Sequence, residues 1–464
     1  MKCMKSTIFK AYDIRGLSPG EISAPDAKKI GQSIASEFKP KHVVVGKDMR
    51  ITSDELEREL VEGFLSQGVS VTRIGLCSTP LFNFAIGSAE GEYDLGVMVT
   101  ASHNRSSYNG FKITLGNNIP VGKGNGMEEI RDFAISEQSI PARKKRGESD
   151  KDNTVLKRYM DHVFESAHLP DDIGKIRIAV DAGNGMNGMI LPELQKRLPN
   201  IEMLDLYWDL DGSFPHHEAN PLKEDTLKDL RALVLERNCA FGVAFDGDGD
   251  RVGFVDERGD SIPGDILTAL FAKILLQTKQ GAKILYDLRS SWSVPEAIYA
   301  AGGISEMTRV GHAFIKRDML EKKALFAGEL SMHFYFQPFW NCESGDFAML
   351  LLLKLVAKEG KPLSEIWKPL KQYFHSGEIN FEVSNAKAII AKLKQRYTAD
   401  ATDTSELDGL RIAFENGTNE DWWFNVRPSN TEPLLRLNLE AKSEKTMKKR
   451  RDELSSIITE ETKI

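Results

Sequence analysis

Short apolar runs recur through much of the chain, and helix-like segments separate them. Residues 42–46, 94–100 and Phe241–Phe245 are such runs, and none of them alternates strictly between apolar and polar positions. Runs of this kind are typical of strands that are buried on both faces of a sheet. The intervening segments, among them Ala24–Phe38 and residues 53–67, carry apolar residues at helical spacing. This order of strands and helices predicts an α/β fold.

Three of the apolar runs end in the same way. Asp48, Asp181 and Asp287 each follow a strand-like run, and each precedes a segment with helical character. This recurrence predicts that one α/β module occurs three times in the chain. The last part of the chain differs in character and carries strand-like segments at 422–426 and 434–439.

A chain of 464 residues is too long for one hydrophobic core, so three or four domains are expected. Residues 136–152 are polar and include the run Arg143-Lys144-Lys145-Arg146. Such a charge run is typical of a solvated linker. The segment therefore predicts the first domain boundary.

Composition and charge exclude several classes of protein. Hydrophobic residues make up 41% and charged residues 28%, which is typical of a soluble folded protein. The net charge of −7 argues against general nucleic-acid binding. No apolar run approaches a membrane span, and residues 1–8 lack the apolar core of a signal peptide. The scattered cysteines form no CxxC pair, so we expect a reducing compartment with neither zinc nor disulfides; they are Cys3, Cys77, Cys239 and Cys342.

The stretch 244–251 carries the most specific chemistry. Asp246, Asp248 and Asp250 stand at alternate positions, separated by glycine, between two apolar runs. Two carboxylates about 4 Å apart repel each other by roughly 4 kcal/mol at an effective dielectric constant of about 20. A loop that gathers three carboxylates therefore requires a cation. Oxygen-only ligands favour a hard ion, Mg²⁺ or Ca²⁺, over zinc.

Two other interpretations of this loop are open. Asp-Gly is common in surface hairpin turns, although a turn requires one such pair rather than three acids. The loop also fits positions 1, 3 and 5 of an EF-hand calcium loop, with Glu257 at position 12. However, Arg251 occupies the position that requires glycine there, and the flanking runs resemble strands rather than helices.

A second candidate site follows the run 94–100. Open α/β sheets bind ligands beyond the carboxyl ends of their strands, which is where Ser102 lies. A serine at this point also suits a helix cap or a turn. Ser102 and His103 are not expected to pair as nucleophile and base, because adjacent residues of an extended chain point to opposite faces.

A glycine-rich stretch at 181–188 matches the G-x-G-x-x-G pattern of dinucleotide-binding proteins, after a strand and before a helix. Glu202 and Asp205 follow at a suitable distance for contact with a ribose. Such glycines also serve ordinary strand-to-helix turns. An NAD(P)-binding oxidoreductase that uses residues 183–188 is therefore an alternative function.

Two further loops carry groups suited to a sugar phosphate. Glu329, Ser331 and His333 alternate, and on an extended chain they would share one face that suits a polyol. Residues 427–433 supply a guanidinium, hydroxyls, an amide and backbone N–H groups, which are the components of a phosphate cradle. The simpler interpretations are a half-exposed strand and a Pro/Ser/Asn turn.

Together these stretches resemble the α-D-phosphohexomutases, in particular the bacterial phosphomannomutase/phosphoglucomutase branch. The matches occur in the family's order at 100–104, 246–251, 328–331 and 427–433, with others at 12–16, 108–112 and 311–312. The resemblance implies four domains around a central cleft, the first three being similar mixed α/β modules and the last α+β. The expected bounds are 1–150, 151–255, 256–370 and 371–464.

The resemblance also implies roles for the matching residues. Ser102 would be a phosphoserine that donates and recovers the phosphoryl group, and it would complete the Mg²⁺ ligands Asp246, Asp248 and Asp250. The other catalytic residues would be Arg15, Lys112, Arg251 and His312. The substrate would be bound by Tyr12, Glu329, Ser331, His333, Arg427, Ser429, Asn430 and Thr431.

The implied reaction interconverts hexose 1-phosphate and hexose 6-phosphate through hexose 1,6-bisphosphate, which would also act as an activator. Glu329 would bind the 3- and 4-hydroxyls in both orientations of the sugar. Glucose and mannose differ at carbon 2, so weak discrimination between them is expected. We expect a cytoplasmic enzyme that binds hexose phosphates, binds neither nucleic acid nor membrane, and is a monomer or a dimer.

Three residues depart from the family's pattern, and a fourth bears on the branch of the family. Arg105 stands where proline often follows the asparagine, and Met332 stands where glycine usually follows Glu-x-Ser. Arg289 occupies a position that often holds lysine, and arginine is poorly suited to proton transfer because it barely titrates. Leu330 argues against the glucosamine-phosphate mutases, which resemble one another by a glutamine at this point.

Overall fold

The computed structural model describes residues 4–136, 141–429 and 434–462. The chain forms two compact units, of which the first comprises Met1–Ile262 and Ser331–Ile366. The second comprises Pro263–Leu330 and Trp367–Ile464. None of the helices in the described ranges combines the length and the apolar character that a membrane span requires.

The first sheet of the first unit mixes parallel and antiparallel strands. Its elements are β1 (Ile14–Leu17), α1 (Ala24–Phe38), β2 (His42–Lys47), α2 (Ser53–Ser66), β3 (Ser70–Leu76), α3 (Thr79–Gly87), β4 (Leu95–Val99), β5 (Tyr108–Leu115), α4 (Met127–Ile135) and β6 (Ser149–Lys151). The strand order is β1-β5-β4-β2-β3-β6, with β2 parallel to both β3 and β4. A capping box formed by Ser23 and Asp26 starts α1, whose buried face joins α2 and the sheet in one hydrophobic core.

The second sheet also lies in the first unit. Its elements are α5 (Val155–Ala167), β7 (Ile176–Asp181), α6 (Asn187–Arg197), β8 (Ile201–Leu206), α7 (Lys228–Arg237), β9 (Phe241–Phe245) and β10 (Val252–Asp256). The order is β10-β9-β7-β8, with β7 parallel to both β8 and β9. Strands β9 and β10 form an antiparallel pair, so the three aspartates lie on the loop of a hairpin.

The chain then enters the second unit and returns to the first. The second unit receives α8 (Gly264–Leu276), β11 (Lys283–Asp287), α9 (Ser293–Ala300), β12 (Ile304–Thr308), α10 (His312–Lys322) and β13 (Phe326–Gly328). There β11 is parallel to both β12 and β13. The first unit receives β14 (Phe334–Phe336), β15 (Cys342–Glu343) and α11 (Gly345–Glu359), and α12 (Leu363–Trp367) follows.

The last part of the chain adds an antiparallel sheet to the second unit. Its elements are β16 (Phe374–His375), β17 (Ile379–Glu382), α13 (Ala386–Tyr397), β18 (Asp403–Ser405), β19 (Leu410–Phe414), β20 (Trp422–Pro428), β21 (Leu434–Ala441) and α14 (Glu444–Thr462). The strand order is β16-β21-β20-β19-β18, and β17 also pairs with β21. This is the predicted change to an α+β domain.

The predicted threefold repeat is confirmed by strand pairing. In each module a central parallel strand, β2, β7 or β11, has a parallel neighbour on both sides. The aspartate at its end accepts the backbone N–H two residues further on, at 3.0, 2.7 and 2.8 Å for Asp48, Asp181 and Asp287. One local turn is therefore built three times from the same residue type.

The polar segment 136–152 is more than the solvated linker that its charge run predicts. Ser149–Lys151 forms β6, which pairs in parallel with β3 at the edge of the first sheet. All three residues of β6 are exposed, so no apolar signal marks this strand in the sequence.

Candidate functional site

The candidate residues follow equivalent strands of the three modules. Strand β4 is followed by Ser102, β9 by the aspartates at 246–250, and β13 by Glu329. In each module this strand is the later, in chain order, of the two parallel neighbours of the central strand. Ligands of α/β sheets bind at such strand ends.

Ser102 has an unusual backbone conformation. Its φ is 49°, in the left-handed region, and the side chain is buried. Its Oγ donates to Asp246 Oδ2 at 3.0 Å and lies 3.1 Å from His103 Nδ1. The expectation that Ser102 and His103 point apart is wrong, because this backbone is not extended. Burial, together with the charge of Arg251, lowers the pKa of His103 well below its ordinary value.

A buried arginine holds the loop that carries this serine. Arg50 Nη2 donates to the carbonyl oxygens of Ser102 and Asn104, at 2.7 and 2.6 Å. Its Nη1 donates to those of Arg105 and Tyr108, at 2.9 and 3.0 Å. Sequence reasoning missed this residue. The available signal was its position two residues after Asp48, the aspartate that follows β2.

The three aspartates form a compact oxygen cluster. Asp246, Asp248 and Asp250 are all buried, and one carboxylate oxygen from each lies within 4.8 Å of the others. Asp248 Oδ1 is buried without a hydrogen-bond partner among the described residues. This donor set fits a hard divalent cation. A surface turn does not fit buried acids, and the EF-hand interpretation is wrong because strands rather than helices flank the loop.

Lys112 is the cation that the structure places against this cluster. Its Nζ lies 2.6 Å from both Asp248 Oδ2 and Asp250 Oδ2. Burial, together with the charges of Asp250 and Asp248, raises the pKa of Asp246 well above its ordinary value. Burial has the same tendency at Asp250, but Lys112 and His333 hold the pKa of that carboxyl well below its ordinary value.

Three more predicted residues surround the cluster. The Arg251 backbone N–H donates to Asp246 Oδ1 at 3.1 Å, and Arg251 Nε donates to His333 Nε2 at 3.2 Å. His333 Nε2 also lies 3.4 Å from Asp250 Oδ1. On the other side of the ring, His333 Nδ1 lies 2.9 Å from Ser331 Oγ. These contacts tie the sugar-binding candidates Ser331 and His333 to the acidic loop.

The N-terminal candidates lie near the serine loop. Strand β1 pairs with β5, and Arg15 of β1 lies opposite Gly110 of β5. Arg15 Nη1 donates to Asn104 Oδ1 at 2.8 Å, and its Nη2 forms an ion pair with Asp13. Tyr12 is half-buried in the preceding turn. The first unit thus brings together Ser102, Asp246, Asp248, Asp250, Lys112, Arg15, Arg251, Ser331 and His333.

The second unit holds a separate group of predicted residues. The Gly311 backbone N–H donates to Glu329 Oε1 at 3.0 Å, and α10 starts at His312 directly afterwards. Residues 329–332 form a turn rather than the extended chain that their alternation suggests, and Met332 has a φ of 64°. A shared strand face for Glu329, Ser331 and His333 is therefore wrong.

Arg427 lies in β20, where the chain approaches the predicted phosphate cradle. Its side chain is buried, and it stands directly opposite Arg436 of β21. Ser429 is half-buried, and its backbone N–H donates to the carbonyl oxygen of Leu434 at 2.8 Å. The predicted phosphate ligands Asn430 and Thr431 lie outside the described residues.

Packing explains the glycine-rich stretch at 183–188. A Cβ on Gly185 would lie 2.9 Å from the carbonyl oxygen of Gly247, in the acidic loop. A Cβ on Gly188 would lie 1.8 Å from the carbonyl oxygen of Trp208. These glycines allow the close approach of neighbouring backbones, so no dinucleotide is needed to account for them.

Models of the four domains of one enzyme family match the chain in order. Phosphoglucomutase/phosphomannomutase α/β/α domain I matches residues 6–140, domain II matches 157–259 and domain III matches 263–373. The C-terminal domain of the same family matches 378–457.

Individual relatives agree with these matches. The phosphomannomutase of Methanocaldococcus jannaschii is 42% identical over 456 residues, 97% of this chain and 97% of that protein. The phosphomannomutase of Vibrio cholerae is 37% identical over 447 residues, 94% of each chain. A solved phosphoglucomutase/phosphomannomutase family protein from Burkholderia thailandensis superposes with a TM-score of 0.88 at 30% identity, covering 99% of this chain and 98% of that one.

The class defined by fold and site is an isomerase that transfers a phosphoryl group within its substrate. The chain belongs to the phosphoglucomutase/phosphomannomutase family, the α-D-phosphohexomutases, as its sequence predicts. The alternative of an NAD(P)-binding oxidoreductase receives no support from these matches.

Proposed function

We propose that this enzyme interconverts hexose 1-phosphate and hexose 6-phosphate, with mannose or glucose as the sugar. The reaction passes through a phosphoserine at Ser102 and a hexose 1,6-bisphosphate. One observation carries the proposal, the 3.0 Å hydrogen bond from Ser102 Oγ to Asp246 Oδ2. A serine hydroxyl at the edge of a buried, oxygen-rich cluster supports the roles proposed for Ser102 and for a bound cation.

The acidic loop is the proposed Mg²⁺ site. Asp246, Asp248 and Asp250 would hold the ion, together with an oxygen of the phosphorylated Ser102. When bound, Mg²⁺ neutralises charge on the oxygens of the transferring phosphoryl group. Lys112 and Arg251 already lie beside these aspartates and would share that task as fixed cations.

The two phosphoryl transfers follow from these positions. A sugar hydroxyl oxygen forms a bond to phosphorus, the bond from phosphorus to Ser102 Oγ breaks, and the hydroxyl proton passes in net to Oγ. The second transfer reverses this chemistry with the other phosphate of the bisphosphate. Arg15, Lys112, Arg251 and His312 would orient the phosphoryl group and stabilise its charge, which is the main contribution of proteins to this reaction.

The remaining residues are proposed to hold the rest of the substrate. Glu329 would accept hydrogen bonds from the 3- and 4-hydroxyls, and Ser331, His333 and Tyr12 would line the sugar. The phosphate that is not reacting would bind to Arg427, Ser429, Asn430 and Thr431. Binding through the 3- and 4-hydroxyls and this phosphate would allow both orientations of the bisphosphate. It would not distinguish sugars that differ at carbon 2.

Mutase assays test the proposal. Wild type, Ser102→Ala and the matched control Ser106→Ala would be assayed with Mg²⁺ and a trace of hexose 1,6-bisphosphate. Mannose 1-phosphate and glucose 1-phosphate would be run in parallel. Ser106 is an exposed serine on the same loop, so its variant should retain wild-type activity. Ser102→Ala should lose activity by at least about 1,000-fold, because the nucleophile is absent.

Intact mass completes the test. Bisphosphate treatment should add about 80 Da, the mass of one phosphoryl group, to wild type and to Ser106→Ala but not to Ser102→Ala. Turnover that survives in Ser102→Ala would overturn the phosphoserine mechanism. Phosphorylation of wild type without turnover of either sugar would retain the mechanism and reject these two substrates.

A further inference from the structure

Three arginines of the second unit converge on one carboxylate. Glu378 Oε2 lies 3.2 Å from Arg289 Nη1 and 3.6 Å from Arg427 Nη2. Glu378 Oε1 lies 3.3 Å from Arg436 Nη1. Glu378 and Arg436 lie outside the matching sequence motifs, and Arg289 stands at a position that often holds lysine.

The three arginines around Glu378 concentrate positive charge where little solvent reaches their side chains. Arg427 and Arg436 face each other directly across β20 and β21, where like charges destabilise a sheet. Arg427 is 2% exposed and Arg289 is 5% exposed. Burial and the charge of Arg289 both lower the pKa of Arg427. Arg427 Nε is buried without a hydrogen-bond partner among the described residues, so the cluster favours an added anion.

The threefold repeat shows what is special about Arg289. Arg50 holds the equivalent position in the first module, two residues after the aspartate of the central strand. Both Nη atoms of Arg50 donate to backbone carbonyl oxygens of the serine loop. Arg289 pairs with the aspartate of its own module, through Nη2 to Asp287 Oδ2 at 2.7 Å, and directs Nη1 at Glu378 at 3.2 Å. The same turn therefore supplies Arg50, which holds a loop, in the first module and Arg289, which faces a carboxylate, in the third.

We propose that Glu378 is a built-in competing anion, which occupies Arg289, Arg427 and Arg436 between turnovers and yields them to the phosphate that is not reacting. The proposal rests on the proposed function for the identity of that phosphate. During each turnover the bisphosphate has to dissociate from these arginines and bind again in the reversed orientation. Three guanidinium groups alone would slow this dissociation, whereas the Glu378 carboxylate, by binding to them in place of the phosphate, speeds it.

Phosphate binding by a charge-neutral variant tests the proposal. Glu378→Gln keeps the shape of the side chain and removes the competing charge. Its Kd for inorganic phosphate, measured by isothermal titration calorimetry, should fall about tenfold relative to wild type. Glu420→Gln is the matched control, because it makes the same charge change at an exposed position of the same domain. Its Kd should equal that of wild type.

A second substitution locates the effect. In the Glu378→Gln background, Arg436→Ala should cancel the gain in phosphate affinity, since it removes one of the three guanidinium groups. In steady-state assays, Glu378→Gln should lower both the KM for hexose phosphate and kcat, because tighter binding slows release. A purely structural role for Glu378 predicts the opposite change in KM.

Weaker or unchanged phosphate binding by folded Glu378→Gln would overturn the proposal, because Glu378 would then serve to organise the arginines. If Glu378→Gln does not fold, Glu378→Asp decides the matter, since it keeps the charge and withdraws it by one methylene. Tighter phosphate binding by this variant supports the proposal, and unchanged or weaker binding rejects it. Calorimetry needs no turnover, so a failure of the mutase assay remains distinguishable from a failure of this inference.

Discussion

At the scale of single residues, the conformation of Ser102 depends on a side chain far away in sequence. A non-glycine residue in the left-handed region costs about 1 to 2 kcal/mol and persists only where its surroundings enforce it. Arg50 supplies that enforcement through four hydrogen bonds to carbonyl oxygens of the serine loop. We therefore expect Arg50 to be a positioning residue, which would act on the reaction through Ser102.

Arg50→Lys should lower kcat about 100-fold while leaving the KM for hexose phosphate nearly unchanged. A lysine ammonium cannot reproduce the planar fork that reaches four acceptors, so the serine loop would relax. Steady-state kinetics on the folded variant measures the effect. Arg58→Lys, at an exposed position of α2, is the control and should behave as wild type. A kcat for Arg50→Lys equal to that of wild type would show that Arg50 has no positioning role.

At the scale of elements, equivalent strands of the three modules are followed by loops that carry different chemical groups. The loops after β4, β9 and β13 carry the candidate nucleophile, the candidate cation ligands and a candidate sugar ligand, respectively. Two of these loops touch: a Cβ on Gly247 would lie 2.6 Å from the carbonyl oxygen of Ser102. The hairpin of β9 and β10 therefore reaches the serine loop only because glycine stands at this point.

Gly247→Ala should lower kcat at least about tenfold and destabilise the protein by about 1 to 3 kcal/mol. The added methyl group would push the backbone of the serine loop away from the acidic loop. Activity and thermal unfolding of the purified variant would be compared with those of Gly20→Ala. At Gly20 the nearest atom to an added Cβ is 3.6 Å away, an ordinary contact. Equal kcat in both variants would contradict the role of this contact.

The sequence predicts most elements, because apolar runs and helical spacing record burial directly. The helix Ala24–Phe38 and the strand Phe241–Phe245 have the predicted bounds. Strand β6 was missed because all of its residues are exposed. The turn at 329–332 was missed because alternation of polar residues looks the same in a turn and in a strand.

Some features of the candidate site could likewise be predicted from the sequence, and others could not. Asp246, Asp248 and Asp250 were predicted as one cluster because glycine spacing restricts how their loop folds. The bond from Ser102 to Asp246 joins two modules, and no local pattern encodes such a distance. Arg50 and Glu378 were missed for the same reason, since their partners lie far away along the chain.

At the scale of the molecule, the compact units do not coincide with the domains of the family, because domain III, at 263–373, is divided between them. The first unit carries the serine and the acidic loop, and the second carries Glu329 and Arg427. Inside the second unit, Glu440 joins two of its parts. Glu440 Oε2 accepts the Trp292 backbone N–H at 2.9 Å and the Trp423 Nε1–H at 3.1 Å. Burial raises the pKa of Glu440 to about 7.

Glu440→Gln should raise the unfolding temperature at pH 8.5 and have little effect at pH 5. The folded-state pKa of Glu440 lies above the ordinary value of 4.5, so the folded form favours the protonated acid. Wild type therefore loses stability as the pH rises from about 4.5 through about 7, by up to about 2 to 3 kcal/mol. Glutamine is neutral throughout and avoids this loss.

Thermal unfolding at the two pH values measures the difference between wild type and Glu440→Gln. Glu420→Gln serves as the exposed control and should give the same shift at both pH values. If Glu440→Gln changes stability equally at pH 5 and pH 8.5, then Glu440 does not titrate in this range.

The path of the chain between the units has a consequence for synthesis on the ribosome. Helix α11 packs against α5 and β10, and Asp346 at its start accepts hydrogen bonds from the Tyr159 hydroxyl and the Asn187 amide. An emerging chain that has passed residue 262 contains all three candidate metal ligands but still lacks α11, which packs against β10. The first unit can close only after the segment up to residue 366 has left the exit tunnel. We therefore expect the speed of translation across residues 263–366 to determine how long the acidic loop, without its packing partner α11, is exposed to chaperones and proteases.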